Sequence, residues 1–409
     1  MILSREKISI EEFDNKLFKV RFVQPINEDK AILTHYLNNI NNDLGKHYKK
    51  SALSIVDKFV EYKNEVDSPI VQEDALQQFL FELKDIPFPS PKNHKFTFID
   101  LFAGIGGFRI AMQNSGGKCV YTSEWDNNAQ RTYRENFGEV PFGDITKEYV
   151  KSYIPNGFDV LCAGFPCQAF SIAGYQKGFA DIRGNLFFDI QKVIQDHRPK
   201  VVFLENVKNL ISHDNGRTFK IILEVLEEQL GYKVFYKVLN TMTHANIPQN
   251  RERIFIVAFD SEQVPNYDKF VFPEEIKLTK TIDDFLEKGK QDDSYYYPQS
   301  HKYYPELAKV MTKTDTVYQW RRVYVRENKS NVCPTLTANM GSGGHNVPLI
   351  RDEFGIRKLT PKECFAFQGY PIDKFILPNI AKSKLFMQAG NSVTTSLIER
   401  ISKQIISVL

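Results

Sequence analysis

FIDLFAGIGGF, at residues 98–108, is the stretch that decides the fold. It begins as an apolar strand, passes through a turn that contains Gly104, Gly106 and Gly107, and continues into the helix-like run RIAMQ. Glycines at such a turn let backbone N–H groups and the start of the next helix approach a ligand closely. The spacing is GxGG and not the GxGxxG of dinucleotide folds. The pattern predicts a nucleotide-type turn after the first strand of an α/β domain.

Apolar, strand-like runs on either side of this turn extend the same prediction. They lie at 96–102, 118–124, 158–164, 200–206, 232–240 and 253–259. Most of the gaps between them are long enough for a crossover helix, which is typical of a parallel sheet covered on both faces. We therefore expect a doubly wound, mostly parallel α/β domain over residues 95–265.

The remaining segments differ from this domain in composition and periodicity. Residues 1–94 contain helical periodicity at 51–63 and 75–83 and end in a Pro-rich linker, so we expect a helical N-terminal appendage. About 100 residues rich in Lys, Tyr, Pro and Gly follow Asp260. They predict a smaller second domain with its hinge at 266–384, and a C-terminal segment, 385–409, that returns to the first domain.

Composition restricts the class of protein. With 42% hydrophobic and 25% charged residues in 409, the chain is an ordinary globular protein, and no apolar run approaches the ~20 residues of a membrane span. The N-terminus lacks the features of a signal peptide, so we expect a cytoplasmic protein. We also expect a monomer. Five cysteines without a CxxC argue against a disulfide framework or a structural zinc site, and we expect no metal. A net charge of +3 is too small to indicate nucleic acid.

Two acidic residues strengthen the ligand interpretation of the glycine turn. Glu124, in SEWD at 123–126, lies about 20 positions after the turn, where an acidic residue commonly binds a ribose hydroxyl pair. Trp125 can stack on adenine, and Asp144, in GDI, can accept from its exocyclic amine. Glycine turns without a ligand also occur in α/β proteins, but this combination favours an adenosine cofactor. NAD and S-adenosylmethionine both qualify, and the absent third glycine favours S-adenosylmethionine.

A thiol and a carboxylate follow two neighbouring strands. Cys167 lies in AGFPCQAFS just after strand 158–164, and Glu205 ends the apolar run 201–204. A free cysteine is more often an inert buried residue, but loops at the carboxyl ends of α/β strands are where such folds build their sites. Together the two groups suit a reaction on an electron-poor ring. Sulfur adds to one carbon, the acid protonates a ring nitrogen, and the adjacent carbon becomes nucleophilic toward a methyl sulfonium.

With these residues in place, the sequence resembles the C5-cytosine-specific DNA methyltransferases, in their prokaryotic modification form. The resemblance rests on nine blocks in family order: FAGIGGF, SEWD, GDI, GFPCQAFS, RGNLFFDI, LENVKNL, IPQNRERIFIVAF, RKLTPKECFAFQGYP and QAGNSV. It implies that the α/β domain has the S-adenosylmethionine-dependent methyltransferase fold. It also implies that Cys167 attacks C6 of a cytosine, that Glu205 engages N3, and that methyl passes from S-adenosylmethionine to C5. Pro166 and Asn206 match positions that shape the cysteine and acid loops, and Arg253 matches a contact to the base or to its acid.

The resemblance also implies the binding residues. The cofactor positions are Phe102, Gly104, Gly106, Gly107, Phe108, Glu124, Trp125, Asp144, Ile145 and Asn391. The DNA-binding positions are Arg251, which is expected on the sugar-phosphate backbone, together with Gln168, Ser171, Arg321 and Arg322. Between 294 and 350, basic residues alternate with aromatic ones, as a target-recognition region would require, although a solvated face over a small core could look similar. A glycine-hinged loop at 335–346 could approach a groove.

Two further expectations and two alternatives follow from the resemblance. A cytosine stacked in duplex DNA must be extruded before both faces of its ring become accessible, so base flipping is expected. Pairing with a cognate restriction endonuclease would be functional and would not need physical contact. The alternative substrate is transfer RNA, on which one branch with similar motifs acts, but the long recognition insert and the PCQ sequence favour DNA. A promoter-binding helix-turn-helix in residues 1–94 is the weaker alternative to a structural role.

Overall fold

The computed structural model describes residues 27–66, 70–82, 85–166, 186–321, 324–342 and 346–409, and a six-stranded sheet forms its centre. The strands lie in the order β2-β1-β3-β4-β7-β5. β1 to β4 are mutually parallel, whereas β7 is antiparallel to both β4 and β5. Their bounds, with the short β6, are β1 Phe96–Leu101, β2 Gly117–Ser123, β3 Val160–Gly164, β4 Val201–Val207, β5 Lys233–Asn240, β6 Gln249–Asn250 and β7 Glu252–Phe259. The predicted mostly parallel α/β fold is confirmed.

Helices cover both faces of this sheet. In the first part of the described chain they are α1 Asn27–Asn38, α2 Lys46–Val66, α3 Gln72–Glu82, α4 Gly107–Asn114, α5 Asn127–Phe137, α6 Glu148–Lys151, α7 Leu186–His197, α8 Arg217–Glu224 and α9 Thr241–His244. Strands β1 to β4 are buried on both faces, and the inner ones among them, β1, β3 and β4, have nearly continuous apolar sequences. Among the residues that the structure describes, no helix is long and apolar enough to cross a membrane.

The N-terminal helices belong to the same core as the sheet. Side chains of α1 and α2 share one hydrophobic cluster with Leu101, Val120 and Phe142. The Tyr48 hydroxyl donates to the carbonyl oxygen of Val120 at 2.9 Å, and the backbone N–H of Thr122 donates to Nε2 of His35 at 3.1 Å. The prediction of a helical N-terminal region is confirmed, and its helices pack directly against the main sheet. These helices supply the layer that covers β1 and β2, so the expected boundary at residue 94 divides a continuous core.

A smaller antiparallel sheet lies in the second half of the chain. Its strands are β8 Tyr318–Arg321, β9 Tyr324–Glu327, β11 Leu349–Asp352 and β12 Gly355–Lys358, in the order β12-β11-β8-β9. Helix α10, Tyr304–Val310, packs on it, and the sheet has its own core, to which Tyr297, Leu307, Met311, Tyr318, Val325, Leu349 and Ile356 contribute. The two-residue β10, Cys333–Pro334, pairs with β6 and joins this region to the main sheet.

The end of the chain returns to the main sheet earlier than expected. Helices α11 Pro361–Phe367, α12 Lys382–Asn391 and α13 Thr395–Val408 share the second hydrophobic cluster with β1 and α4. The core of the small sheet therefore ends near Ile356, whereas the sequence placed the boundary at residue 384. Arg357 joins the two parts, because its guanidinium bonds both carboxylate oxygens of Glu363, at 2.7 and 2.8 Å, and also Asp352.

Candidate active site

The glycine turn after β1 has two kinds of glycine. Gly106 has a φ of 85° and precedes α4, and a Cβ placed on it would lie 2.2 Å from the ring of Phe137. Packing therefore requires glycine there. Gly104 has a φ of 55°, but a Cβ on it would meet no atom closer than the Phe102 carbonyl oxygen at 4.0 Å. The open space beside Gly104 leaves its backbone accessible to a ligand, as the sequence predicts for a nucleotide-type turn.

Glu124 is held at the end of β2 by the glycine turn itself. Its Oε2 accepts from the backbone N–H of Gly104 at 2.8 Å, and its Oε1 accepts from the N–H of Asp126 at 2.8 Å. Burial raises the pKa of this carboxyl, and the two N–H groups oppose that rise. Each oxygen retains a lone pair, so the carboxylate can still accept from a pair of ligand hydroxyls. Trp125, next in the chain, is 77% exposed, so a face of its indole is available for stacking.

The remaining predicted cofactor residues lie on three separate segments. Asp144 is partly exposed, and its Oδ1 accepts from the N–H of Thr146 at 3.0 Å. Ile145 beside it is buried. Phe102 is half-buried with a φ of 56°, and Asn391 is exposed at the end of α12. None of these placements conflicts with cofactor contact, which remains a prediction for them.

The helix that follows the glycine turn and the predicted acid both approach Gly164, the last residue of β3. A Cβ placed on Gly164 would lie 3.5 Å from the ring of Phe108, 3.6 Å from Oε2 of Glu205 and 3.7 Å from Cγ1 of Val393. These three side chains come from α4, from β4 and from the C-terminal QAGNSV block. Residues far apart in the sequence therefore border one small space at the carboxyl end of the sheet, where α/β folds place their sites.

Glu205 forms an ion pair at the wall of this space. Its Oε1 lies 3.0 Å from Nε of Arg253, and both side chains are nearly buried. Burial raises the pKa of the Glu205 carboxyl above its usual value, while the positive charges of Arg253 and Arg251 oppose that rise. A raised pKa enlarges the protonated fraction near neutral pH, which suits a group that donates a proton to a ring nitrogen.

Asn206 fixes the start of the cysteine loop. Its Nδ2 donates to the carbonyl oxygen of Phe165 at 2.8 Å, and its Oδ1 accepts from the N–H of Val207 at 2.8 Å. The side chain thereby ties β4 to the residues that follow β3, and Pro166 is the last described residue before the cysteine. Cys167, Gln168 and Ser171 lie outside the described residues.

Arg251 does not have the environment expected of a DNA contact. Arg251 is only 2% exposed. Its guanidinium donates to the carbonyl oxygens of Leu336 at 2.8 Å, Gly390 at 3.3 Å and Ser392 at 2.5 Å. Burial lowers its pKa well below the usual value. The predicted contact with the sugar-phosphate backbone is therefore wrong in this structure. Arg251 instead joins the start of β7 to the small-sheet region and to the C-terminal block.

Several residues that organise the site were not singled out from the sequence. Gln249, fully buried, donates from Nε2 to the carbonyl oxygen of Phe367 at 2.6 Å and accepts from the N–H of Leu336. The Tyr370 hydroxyl bonds Oγ of Ser392 at 2.5 Å, and a Cβ on Gly107 would lie 2.8 Å from that hydroxyl. All of these residues except Leu336 lie inside the nine motif blocks. Membership of a block was therefore the only feature of the sequence that could have indicated a role in the site. Their roles depend on partners more than 20 residues away.

A buried cluster around Arg109 connects the helix after the glycine turn with the N-terminal helix α1. Arg109, the third residue of α4, bonds Glu139 at 2.5 Å and the Tyr133 hydroxyl at 2.9 Å. His35 of α1 lies 3.4 Å from the same Glu139 carboxylate. Burial lowers the pKa of His35, in agreement with a neutral ring that accepts from Thr122 through Nε2. The N-terminal helix is thus connected to the strand and the helix that carry the predicted cofactor residues.

Of the predicted DNA-reading arginines, Arg321 is exposed at the end of β8, and Arg322 lies outside the described residues. Arg321 donates to Oε1 of Gln319 at 3.0 Å. Its contact with DNA remains a prediction.

The fold and this arrangement are those of an α/β protein whose site lies at the carboxyl ends of its strands, and the same fold occurs in methyltransferases of known structure. Solved structures with the same fold include the Entamoeba histolytica methyltransferase EhMeth, with a TM-score of 0.56, 17% identity, and coverage of 78% of this chain and 99% of that chain. The Dnmt2 methyltransferase of S. pombe gives a TM-score of 0.55 at 17% identity, with coverage of 76% of this chain and 98% of that one. At these identities the similarity concerns the fold.

Sequence similarity identifies the family. The C-5 cytosine-specific DNA methylase family matches residues 96–407. The chain is 52% identical over 309 residues to the Type II methyltransferase M.Bsp6I of Bacillus sp. (strain RFL6), covering 75% of this chain and 96% of that protein. It is 42% identical over 362 residues to M.HpaII of Haemophilus parainfluenzae, covering 85% and 98% respectively. The chain therefore belongs to the C-5 cytosine-specific DNA methylase family and is a DNA cytosine-C5 methyltransferase.

Proposed function

We propose that this enzyme transfers a methyl group from S-adenosylmethionine to C5 of a cytosine extruded from a specific duplex DNA site, through a covalent bond between Cys167 and C6. The observation that supports this best is the space beside Gly164, where Glu205 from β4 meets Phe108 from the cofactor turn. An acid for the base and the wall of the proposed cofactor site thus both lie within 4 Å of the point that a Cβ on Gly164 would occupy, and transfer between two bound groups requires such proximity.

The residues present fit an adenosine-type cofactor. The open side of Gly104 gives room for a ligand against the backbone, the buried Glu124 carboxylate is suited to a ribose, and the exposed Trp125 offers a stacking surface. Asp144 and Asn391 would complete the binding site. When bound, S-adenosylmethionine supplies an electrophilic methyl sulfonium.

The chain's own groups supply the remaining chemistry. The Cys167 thiolate forms a bond to C6 of the cytosine, while protonated Glu205 delivers its proton to N3, so that the electron pair of the C5–C6 bond becomes nucleophilic at C5. Arg253 keeps the Glu205 carboxyl in place through the 3.0 Å contact. After methylation, loss of the C5 proton to a base re-forms the double bond and expels the Cys167 sulfur. Asn206 holds the backbone that leads into this cysteine.

The substrate and the biological setting are part of the same proposal. Extrusion of a stacked base costs a few kcal/mol, which contacts between DNA and the small-sheet region would offset. We propose that the enzyme acts as a monomer in the cytoplasm of a bacterium and protects host DNA from a cognate restriction endonuclease without binding to it. Two proteins that it resembles carry the name Type II methyltransferase.

A methylation assay tests the reaction and its nucleophile. Purified protein is incubated with labelled S-adenosylmethionine and with either duplex DNA or transfer RNA. We expect label as 5-methylcytosine in DNA alone. Label in transfer RNA alone would overturn the choice of substrate. Cys167→Ser should abolish transfer, whereas the matched variant Cys119→Ala, which changes a buried thiol of β2, should retain it.

The covalent step has its own readout. DNA that contains 5-fluorocytosine at the target should trap the enzyme, because fluorine cannot leave C5 as a cation and the sulfur is then not released. We expect a protein–DNA adduct that survives denaturing electrophoresis and is absent in Cys167→Ser. An equally abundant adduct in that variant would contradict the nucleophile assignment.

A further inference from the structure

The β8–β9 pair presents a polar face to solvent. Alternation along the strands turns Tyr318 and Val325 into the core of the small sheet, where they are buried. Gln319, Arg321 and Arg326 occupy the alternate positions, and both arginines are exposed. Gln319 and Arg326 are directly opposite each other in the antiparallel register. Three side chains able to form directed hydrogen bonds therefore share one outward face.

The two arginines of this face share one acceptor, and Arg326 also donates to Oδ1 of Asn328 at 3.4 Å. Nη2 of Arg321 and Nη2 of Arg326 each donate to Oε1 of Gln319 at 3.0 Å, so these two nitrogens are at most 6.0 Å apart. In the described part of the chain, no carboxylate forms an ion pair with either arginine. By contrast, Lys313 nearby is 2.9 Å from Glu327, which points to the other side of β9. A neutral amide thus holds two uncompensated guanidinium groups side by side.

A strand scaffold gives these groups a defined direction. Trp320, between Gln319 and Arg321, packs on Tyr303 with ring centroids 4.5 Å apart, and Lys302 lies over that tyrosine ring. The hairpin backbone is therefore fixed from its inner side. Contact with a phosphate tolerates many side-chain orientations, whereas reading a base edge needs a guanidinium fork held in one orientation. The shared amide oxygen provides that restraint.

We propose that Arg321 and Arg326 form one guanine-reading site, in which each guanidinium can bind O6 and N7 of a guanine in the major groove, and that Gln319 is their positioning residue. The proposal rests on the proposed function, since it concerns how the same enzyme selects its DNA site. The separation of the two forks suits guanines on neighbouring base pairs, which are about 3.4 Å apart along the helix axis. The predicted recognised sequence therefore contains guanines at adjacent positions, on one strand or on opposite strands.

The experiment uses DNA substrates in which a guanine lacks the N7 acceptor of hydrogen bonds. Bisulfite sequencing of DNA methylated by the full-length enzyme first gives the recognised sequence. Duplexes are then made with guanine, or with 7-deazaguanine in place of each guanine of the site, which removes N7 and leaves base pairing intact. We expect the wild-type kcat/KM to fall about 10-fold on at least one 7-deazaguanine duplex, since a bidentate contact contributes discrimination of this order.

The variants identify the residues responsible. Arg321→Ala and Arg326→Ala should each lose about 10-fold on normal DNA and show no further loss on the 7-deazaguanine duplex that reports their contact. Gln319→Ala should reduce the ratio of kcat/KM between guanine and 7-deazaguanine without a change in melting temperature, and Gln319→Glu, which retains the acceptor oxygen, should restore part of that ratio. Lys309→Ala, an exposed change on α10, is the control and should leave the ratio unchanged.

The outcomes separate this inference from the proposed function. If the wild-type enzyme methylates normal duplex DNA but each arginine variant loses the same factor on both substrates, the arginines do not read guanine. A salt dependence of binding that weakens by about one phosphate contact per variant would lead to the same conclusion. If the wild-type enzyme transfers no methyl group to any duplex, the proposed function itself fails.

Discussion

Replacement of Arg251 by methionine distinguishes a buried structural residue from a DNA contact. In the structure its guanidinium makes two short bonds, to the carbonyl oxygens of Leu336 and Ser392, and longer ones to Gly390. A hydrogen bond from a charged donor contributes about 1.5–3 kcal/mol, and the lower end applies because burial of the cation offsets part of it. The two short bonds then correspond to about 3 kcal/mol of unfolding free energy. For a chain of this length, that lowers the melting temperature by about 3 °C.

Two measurements on Arg251→Met test the structural role. Urea unfolding should give the loss of about 3 kcal/mol, while Arg131→Met, an exposed change on α5, should remain within about 0.5 kcal/mol of wild type. The slope of log K for DNA binding against log salt should be unchanged. The structural role is refuted if Arg251→Met is as stable as wild type and the slope becomes shallower by about 0.9, the value for one lost phosphate contact.

The other predictions concern the acid, the turn and the N-terminal layer. Glu205→Gln should lower kcat by about 10²- to 10⁴-fold, with cofactor binding by calorimetry unchanged; unaltered kcat would exclude the acid role. Because Arg253 lowers the pKa of Glu205, Arg253→Gln should raise that pKa, and protonated Glu205 should persist to higher pH. The alkaline limb of the plot of kcat against pH should move to higher pH, and a move to lower pH would contradict the assignment. Gly106→Ala places a Cβ 2.2 Å from the ring of Phe137, so thermal unfolding should show a loss above about 1 kcal/mol; wild-type stability would disprove this steric account. A fragment of residues 95–409 should be insoluble, because it exposes the apolar side of β1 and β2; a soluble fragment active in the methylation assay would contradict this.

Local sequence predicted the large sheet well. The apolar runs matched the strands of the main sheet to within two residues at every end. For β1, β3 and β4 the reason is that a strand buried on both faces needs a nearly unbroken series of apolar side chains. The glycine turn was equally clear. The φ of Gly106 and its contact with Phe137 leave no alternative to glycine, so the constraint is visible in the residue type itself.

The predicted site was recoverable only in part. Glu205 was identified because a carboxylate at the end of an apolar strand is costly without a partner, and its ion pair with Arg253 supplies one. Arg251, two residues before Arg253, was assigned to DNA because arginines between elements are usually exposed. Its three acceptors are backbone carbonyls, which have no signature in the sequence of this segment.

The sequence by itself determined where the main-sheet strands lie along the chain, the glycine turn, and the residue types able to carry out the chemistry, since these depend on local periodicity and backbone freedom. Only the tertiary structure decided that α1 and α2 form a layer of the catalytic core, that the small sheet ends near Ile356, and that Arg251 faces inward. Each of these depends on which distant surfaces bury each other. A helix with an apolar face must cover something, but its own sequence does not specify which surface it covers.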